Sequence, residues 1–166
     1  MLLREDFTSP GWAAGTDGVA KGGSDIILLV CRIGLASLFY FSIQGKLANI
    51  EGFVASLASR GVPGGMALGY LAVTAEIVGS LGVLLGLGTR YAALLLVLFV
   101  IVATAISHLY WLAPVEQVRT QTTQFYKNVG LIAGYLLLFV AGPGRISLDY
   151  VFGRKRSAPS LVARGY

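Results

Sequence analysis

The sequence predicts an all-α membrane protein, an antiparallel four-transmembrane-helix bundle with a short amphipathic interfacial helix between helices 1 and 2. Three observations lead there. Of 166 residues, 55% are apolar and only 13% charged, and the mean hydropathy is +0.74. A soluble domain has about a quarter charged residues, and a chain this short cannot bury so much apolar surface in one aqueous core. The apolar residues also fall into four runs, near 26–45, 65–87, 91–113 and 125–141, each close to the ~20 residues that cross ~30 Å of hydrocarbon. Finally, stretches such as LLVLFVIVA show no alternation of polarity. They therefore read as helices, which satisfy their own backbone groups in lipid, and not as barrel strands.

Residues 1–25 are mixed and Gly-rich, without the short basic start and immediate apolar core of a signal peptide, and read as an N-terminal cytoplasmic arm. The membrane domain spans 26–149. After its first apolar run, Ile50, Phe53, Val54 and Leu57 repeat at i, i+3, i+4 and i+7, with Glu51 and Ser56 off that face and Gly61 and Pro63 closing the segment. That pattern suits a helix lying in the interface. Gly88-Thr89-Arg90 is a tight turn, so the second and third runs are antiparallel neighbours, and a polar connection at 114–124 leads into the fourth. Gly65/Gly69, Gly82/Gly86 and Gly130/Gly134 have the spacing that lets helix backbones approach closely, within the bundle or between subunits of a homo-oligomer. Residues 150–166 form a basic cytoplasmic tail.

The formal charge is +5. Its basic residues gather after the last apolar run, not in a stripe along a soluble face, which points to the lipid bilayer as partner and away from nucleic acid. With both termini cytoplasmic, Arg4, Lys21, Arg90, Arg145, Arg154, Lys155, Arg156 and Arg164 lie inside, and Lys46, Arg60, Arg119 and Lys127 outside. The excess of basic residues on the cytoplasmic side favours this N-in, C-in arrangement over its inverse. The single cysteine, Cys31, and single histidine, His108, exclude an internal disulfide and bis-histidine haem ligation within one subunit. No metal-ligand set, cofactor motif or nucleophile–base constellation is present. No sequence feature therefore supports autonomous catalysis, and there is no catalytic residue to name.

Two charges interrupt the apolar runs. Arg32 and Glu76 would each cost roughly 2.5–3.5 kcal/mol near a bilayer centre. Counted at about 1.5 Å per residue, they sit roughly 9 and 16 Å above the inner plane, within reach of an extended arginine. An Arg32–Glu76 ion pair is expected, either fixing helix register or serving as a charged site for proton relay or a small solute. A second polar set gathers at the outer helix ends: Gln44, Lys46, His108, Lys127 and Asn128. These residues either snorkel to the interface or converge on one outward mouth that binds a small polar head group or anion.

The stretches RIGLASLFYFSIQGKL, AEIVGSLGVLLGLGTRYAALLL, ATAISHLYW and GPGRISLD, in that order and spacing, resemble the DoxX family of small bacterial membrane proteins. The likeness covers about residues 26–149, and the family's polar positions fall on Arg32, Lys46, Glu76, His108 and the turn from Arg145 to Asp149. The first helix departs from the family's glycine- or histidine-rich ending with Ser42-Ile43-Gln44. The resemblance implies a bacterial inner-membrane location, partners among membrane, periplasmic or cytoplasmic redox subunits, and a quinone as the non-covalent guest of the mouth. On that reading the chain is an accessory or quinone-interacting subunit of a redox complex. The alternatives from other classes are a small-solute transporter built on Arg32 and Glu76, or a membrane scaffold without ligand.

Overall fold

A computed structural model describes the fold of residues 14–156, and side-chain environments for 23–153. The expected N-terminal arm up to Ala13 and the tail beyond Arg156 lie outside the described residues. Among the described residues six α-helices follow one another: α1 (Ala14–Ala48), α2 (Ile50–Ala58), α3 (Gly65–Leu85), α4 (Thr89–Ser107), α5 (Val115–Ala141) and α6 (Leu148–Arg156), with a 3-10 turn at Tyr110–Leu112. No strand occurs among the described residues. Four helical stretches, Gly23–Ala48, Gly65–Leu85, Thr89–Leu112 and Val115–Ala141, are long and apolar enough to span a bilayer.

The helix boundaries differ from the expected ones at two places. The first helix begins at Ala14, well before the apolar run, so residues 14–25 are helical. The polar stretch 114–124, expected as a connection, is instead the start of α5, with Pro114 at its N-cap and Glu116 in its first turn. A negative charge beside the exposed N–H groups of a helix start favours that ending. Polarity alone misled there, because Val115, Val118, Thr122 and Phe125 still recur at helical spacing.

Consecutive antiparallel packing builds the bundle: α1 on α3, α3 on α4, α4 on α5, with a lighter contact between α1 and α5. Its core joins Phe39 of α1, Val83 of α3, Leu96 and Val100 of α4, and Leu131, Tyr135 and Leu138 of α5. The Tyr135 hydroxyl donates to the Leu35 carbonyl at 3.0 Å, tying α5 to α1. The spans turn many large apolar side chains outward; no more than 33% of any span's most apolar window is buried inside the chain, as expected where lipid and not water is the solvent.

Glycine sets two of the helix contacts. A Cβ on Gly79 would lie 2.6 Å from Leu96, and one on Gly82 2.8 Å from the Ala92 Cβ. The α3 and α4 backbones therefore meet closely beside the tight turn that joins them, as small residues permit in membranes. Gly65 and Gly130, expected as packing positions, face open space. Away from the turn, α3 and α4 separate, and α2 covers the gap: Val54 packs on Gly69, which has no room for a Cβ. Asn49 caps α2 by accepting from the Gly52 N–H at 2.9 Å, and Ile50, Phe53, Val54 and Leu57 form its inward face, as their spacing implied.

Candidate functional site

Where α3 and α4 diverge they leave a cavity of about 550 Å³. All four spans line it, and Phe53, Leu57 and Val62 from the α2 region close its end. Its rim includes Leu71 of α3 and Leu98 of α4, 65% and 62% exposed, so it meets the lipid-facing surface between those helices. The walls are mostly apolar. The polar side chains on them are Ser42, Lys46, Glu76, Ser107, His108, Lys127 and Asn128.

The deepest polar group is Glu76, 1% exposed at the middle of α3. Its Oε1 accepts from the Lys46 ammonium at 2.5 Å and from the Ser42 hydroxyl at 3.1 Å. Its Oε2 is buried and has no hydrogen-bond partner. Lys46 also lies 5.0 Å from the Phe53 ring centroid and 5.2 Å from that of Phe99. The aromatic faces help to hold a cation in an apolar setting. One ammonium thereby joins α1, α2, α3 and α4.

The expected Arg32–Glu76 ion pair is not formed. Arg32, also 1% exposed, donates from Nη2 to the Ile146 carbonyl at 2.6 Å and from Nη1 to the Pro143 carbonyl at 3.2 Å, while its Nε has no partner. The reason is helix direction. Side chains lean toward the N-terminus of their own helix. Arg32 on α1 therefore leans toward the end that carries the 143–146 turn. Lys46, on the same helix, leans down from the α2 end, and Glu76 on the antiparallel α3 leans up to meet it. Among the described residues Lys46–Glu76 is the only ion pair within 4 Å, and a charged site built on Arg32 and Glu76 together does not exist.

Closer to the α2 end, Asn128 of α5 is buried and donates to the Thr104 hydroxyl at 2.8 Å. His108, just past the end of α4, bonds through Nδ1 to the Gln121 amide oxygen at 2.8 Å. Facing the amide oxygen, Nδ1 is the donor in this contact. Lys127 reaches the cavity from an exposed position. Gln44, expected at the mouth, does not line it. It lies on the outer side of α1 and donates to the Tyr40 hydroxyl at 2.8 Å, because two residues' rotation from Ser42 and Lys46 turns it away. Among the described residues no cluster of His, Cys, Asp and Glu could hold a metal.

The opposite end of the bundle is tied by Asp149. Its carboxylate accepts from the Gly88 N–H at 2.7 Å, and from the Thr89 N–H and hydroxyl, each at 2.9 Å. Gly88, at the N-cap of α4, has no side chain to cap the helix, so Asp149 does so from 60 residues away. Burial works against the Asp149 carboxylate. The Thr89 and Gly88 hydrogen bonds and the Arg32 charge outweigh it, holding the group below the usual carboxyl value.

The DoxX family model matches residues 27–109. Inner membrane protein YphA of Escherichia coli K12 is 33% identical over 124 residues, covering 75% of this chain and 89% of its own length. The chain belongs to the DoxX family. A second similar protein, inner membrane protein YqjF of the same strain, is 31% identical over 131 residues, 79% of this chain and 95% of that one. No solved structure matches this DoxX chain. Both relatives are inner-membrane proteins by name, and with the four apolar helices they support a multi-pass inner-membrane location.

Sequence reasoning missed Ser42, Phe53 and Phe99 as partners of the deep pair. Ser42 was findable, one turn before Lys46 on the same face of α1. The two rings were not, since nothing in the spacing of Phe53 and Phe99 separates a ring facing an ammonium from one facing lipid.

Proposed function

We propose that this DoxX protein holds a quinone-class lipid in the cavity, as a ligand-binding subunit of an inner-membrane redox complex, with no covalent cofactor of its own. One observation carries the reading: a cavity that meets the lipid-facing surface at an apolar rim and has a charged, hydrogen-bonding pair, Lys46 and Glu76, in its depths. A membrane-soluble molecule with a small polar ring and an apolar body fits that order of walls, entering sideways between α3 and α4 with its head group inward. Mostly apolar walls with a few placed polar groups are what small-ligand sites present. The family's link to redox chemistry makes the quinone class the preferred guest, by analogy. Lys46, Glu76, His108, Lys127 and Asn128 are the residues assigned to the ligand.

The same reading places both termini in the cytoplasm, because the α2 end has fewer basic residues. The cavity then lies in the outer half of the membrane, with His108 and Lys127 near its periplasmic end.

Extraction of the protein, purified gently from native membranes, tests the assignment. The wild type should carry isoprenoid quinone enriched over bulk lipid. Ala103→Phe, which places a ring on the cavity wall and narrows it, should carry much less while unfolding at a similar temperature. Equal retention by both, or no enrichment in the wild type, would overturn it.

A further inference from the structure

The first span, α1, meets the bundle along one side only. It packs on α3 and more lightly on α2 and α5, and its inward residues include Arg32, Ala36 and Phe39. On the outward side Ile26, Val30, Ile33, Ser37, Tyr40 and Gln44 follow one another in alternating steps of four and three, and Leu47 continues the series. All of them are exposed, the larger apolar and aromatic ones by 47% to 63%. A 3.5-residue repeat held over three heptads keeps one stripe facing a neighbouring helix and supercoils the pair left-handedly. At about 1.5 Å per residue the stripe runs roughly 32 Å, the depth of the hydrocarbon.

Lipid alone does not account for its composition. Ser37 lies near the middle of the span, and Tyr40 and Gln44 stand one and two turns farther toward the α2 end. Residues 94–102 of α4 and 129–141 of α5, by contrast, expose no polar side chain. Gln44 donates one N–H to the Tyr40 hydroxyl at 2.8 Å. Among the described residues its amide oxygen, its second N–H and the Tyr40 O–H proton have no partner. Hydrocarbon offers those groups nothing, whereas hydrogen bonds between such side chains hold membrane helices together.

We propose that a second copy of this chain packs its own α1 against this stripe, in parallel about a two-fold axis, so that the Tyr40–Gln44 pairs of the two subunits meet. The occupant follows from the chemistry. Copies insert in one orientation, so a two-fold axis along the membrane normal sets each group opposite its like at the same depth. An amide with a free oxygen and a free N–H is complementary to itself, and the phenol proton adds a donor. The stripe carries no charge that would call for a partner of opposite sign. None of the α1 residues on the cavity wall, Leu38, Phe39, Ser42 and Lys46, belongs to it, so the α3–α4 opening stays free and the pairing does not depend on the ligand.

Single cysteines placed along α1 of the full chain in native membranes test the pairing. Opposed positions on a two-fold seam come within the ~7 Å between Cα atoms that a disulfide tolerates. In a Cys31→Ser background, Val30→Cys, Ile33→Cys and Leu47→Cys should each give a band of twice the subunit mass after oxidation with copper phenanthroline. Leu38→Cys, 50% exposed on another side of α1, should not, nor should the wild type through its exposed Cys31. Energy transfer between donor- and acceptor-labelled copies in liposomes should show Gln44→Leu associating at least about threefold more weakly than wild type, the lower end for a polar contact between membrane helices.

Cross-links confined to positions 31 and 38, or equal at every position, overturn the pairing. Absence of cross-links everywhere also overturns it and leaves the stripe to lipid or to another protein. Unchanged association of a folded Gln44→Leu protein overturns the role of the amide. If that variant does not fold, the cysteine series still decides.

Discussion

Lys46 and Glu76, 30 residues apart, meet at 2.5 Å inside the bundle, and the carboxylate they share with Ser42 is almost wholly removed from solvent. Breaking such a pair from one side leaves a charge stranded in low dielectric. Lys46→Met should therefore cost on the order of 3–5 kcal/mol, and Lys46→Met combined with Glu76→Gln should recover most of it. Unfolding in detergent, measured over the four proteins of the cycle, gives the coupling directly. Additive losses would mean that the two groups do not stabilise each other.

Arg32 should behave differently, because its partners are backbone carbonyls at the far end of the bundle. Its planar fork reaches the Pro143 and Ile146 carbonyls together, which a single ammonium cannot reproduce. Arg32→Lys should lose about 1.5–3 kcal/mol, the range for hydrogen bonds from a charged group. In a cycle with Glu76→Gln the two losses should add within about 0.5 kcal/mol. Strong coupling would reinstate the ion pair that the structure does not form.

The spans, the interfacial helix and the tight α3–α4 turn were legible because each is a local pattern: apolar length, a 3.6-residue period, a glycine between two runs. Most of the polar groups around the cavity were legible too, since Lys46, His108, Lys127 and Asn128 all sit at or near the ends of apolar runs. What sequence could not supply was partner choice. Arg32 and Glu76 lie at compatible depths when counted along their helices, yet the lean of each side chain, set by helix direction, sends one toward Ile146 and the other toward Lys46. Gln44 shows the same limit in rotation. It belongs to the helix end that holds Lys46 but faces outward with Tyr40. The start of α5 was hidden for the opposite reason, because a polar segment can be helical when it extends a span beyond the hydrocarbon.

Orientation is open to a chemical test. In a Cys31→Ser background, Ser59→Cys at the α2 end should react with a membrane-impermeant maleimide on intact cells, and Ser157→Cys should react only after permeabilisation. The asymmetry of Lys and Arg between the two ends predicts this result. Labelling of position 157 and not 59 in intact cells would invert the bundle and put the cavity in the inner half of the membrane.

Close packing of α3 on α4 should tolerate no added side chain. A Cβ on Gly79 would sit 2.6 Å from Leu96, itself fully buried between the helices. Gly79→Val should destabilise the protein by about 1–3 kcal/mol, as overpacking does in tight cores, with a matching fall in thermal midpoint. Gly130→Val, in open space on α5, should change the midpoint little. Equal effects at the two positions would mean that the α3–α4 approach does not depend on glycine.

Asp149 gives the fold an acid limit with a defined sign. Burial alone would raise its carboxyl, but the N–H groups of Thr89 and Gly88, the Thr89 hydroxyl and the nearby Arg32 guanidinium together hold it below the ordinary value of 3.8. A group whose folded value is depressed adds stability above its unfolded value and loses it as pH falls through the folded one. The contribution of Asp149 is thus complete at neutral pH, begins to fade below about pH 4, and is gone once the folded carboxyl is protonated. Asp149→Asn removes the charge while keeping the shape, so it should be less stable than wild type at neutral pH. The difference between the two should shrink progressively as the medium is acidified below that point. Because other carboxylates titrate in both proteins, the difference between their thermal midpoints across pH, and not either curve alone, isolates this residue. A difference that stays constant down to the acid limit would show that the Asp149 charge does not hold the start of α4, and that the Gly88–Thr89 turn is kept by its backbone alone.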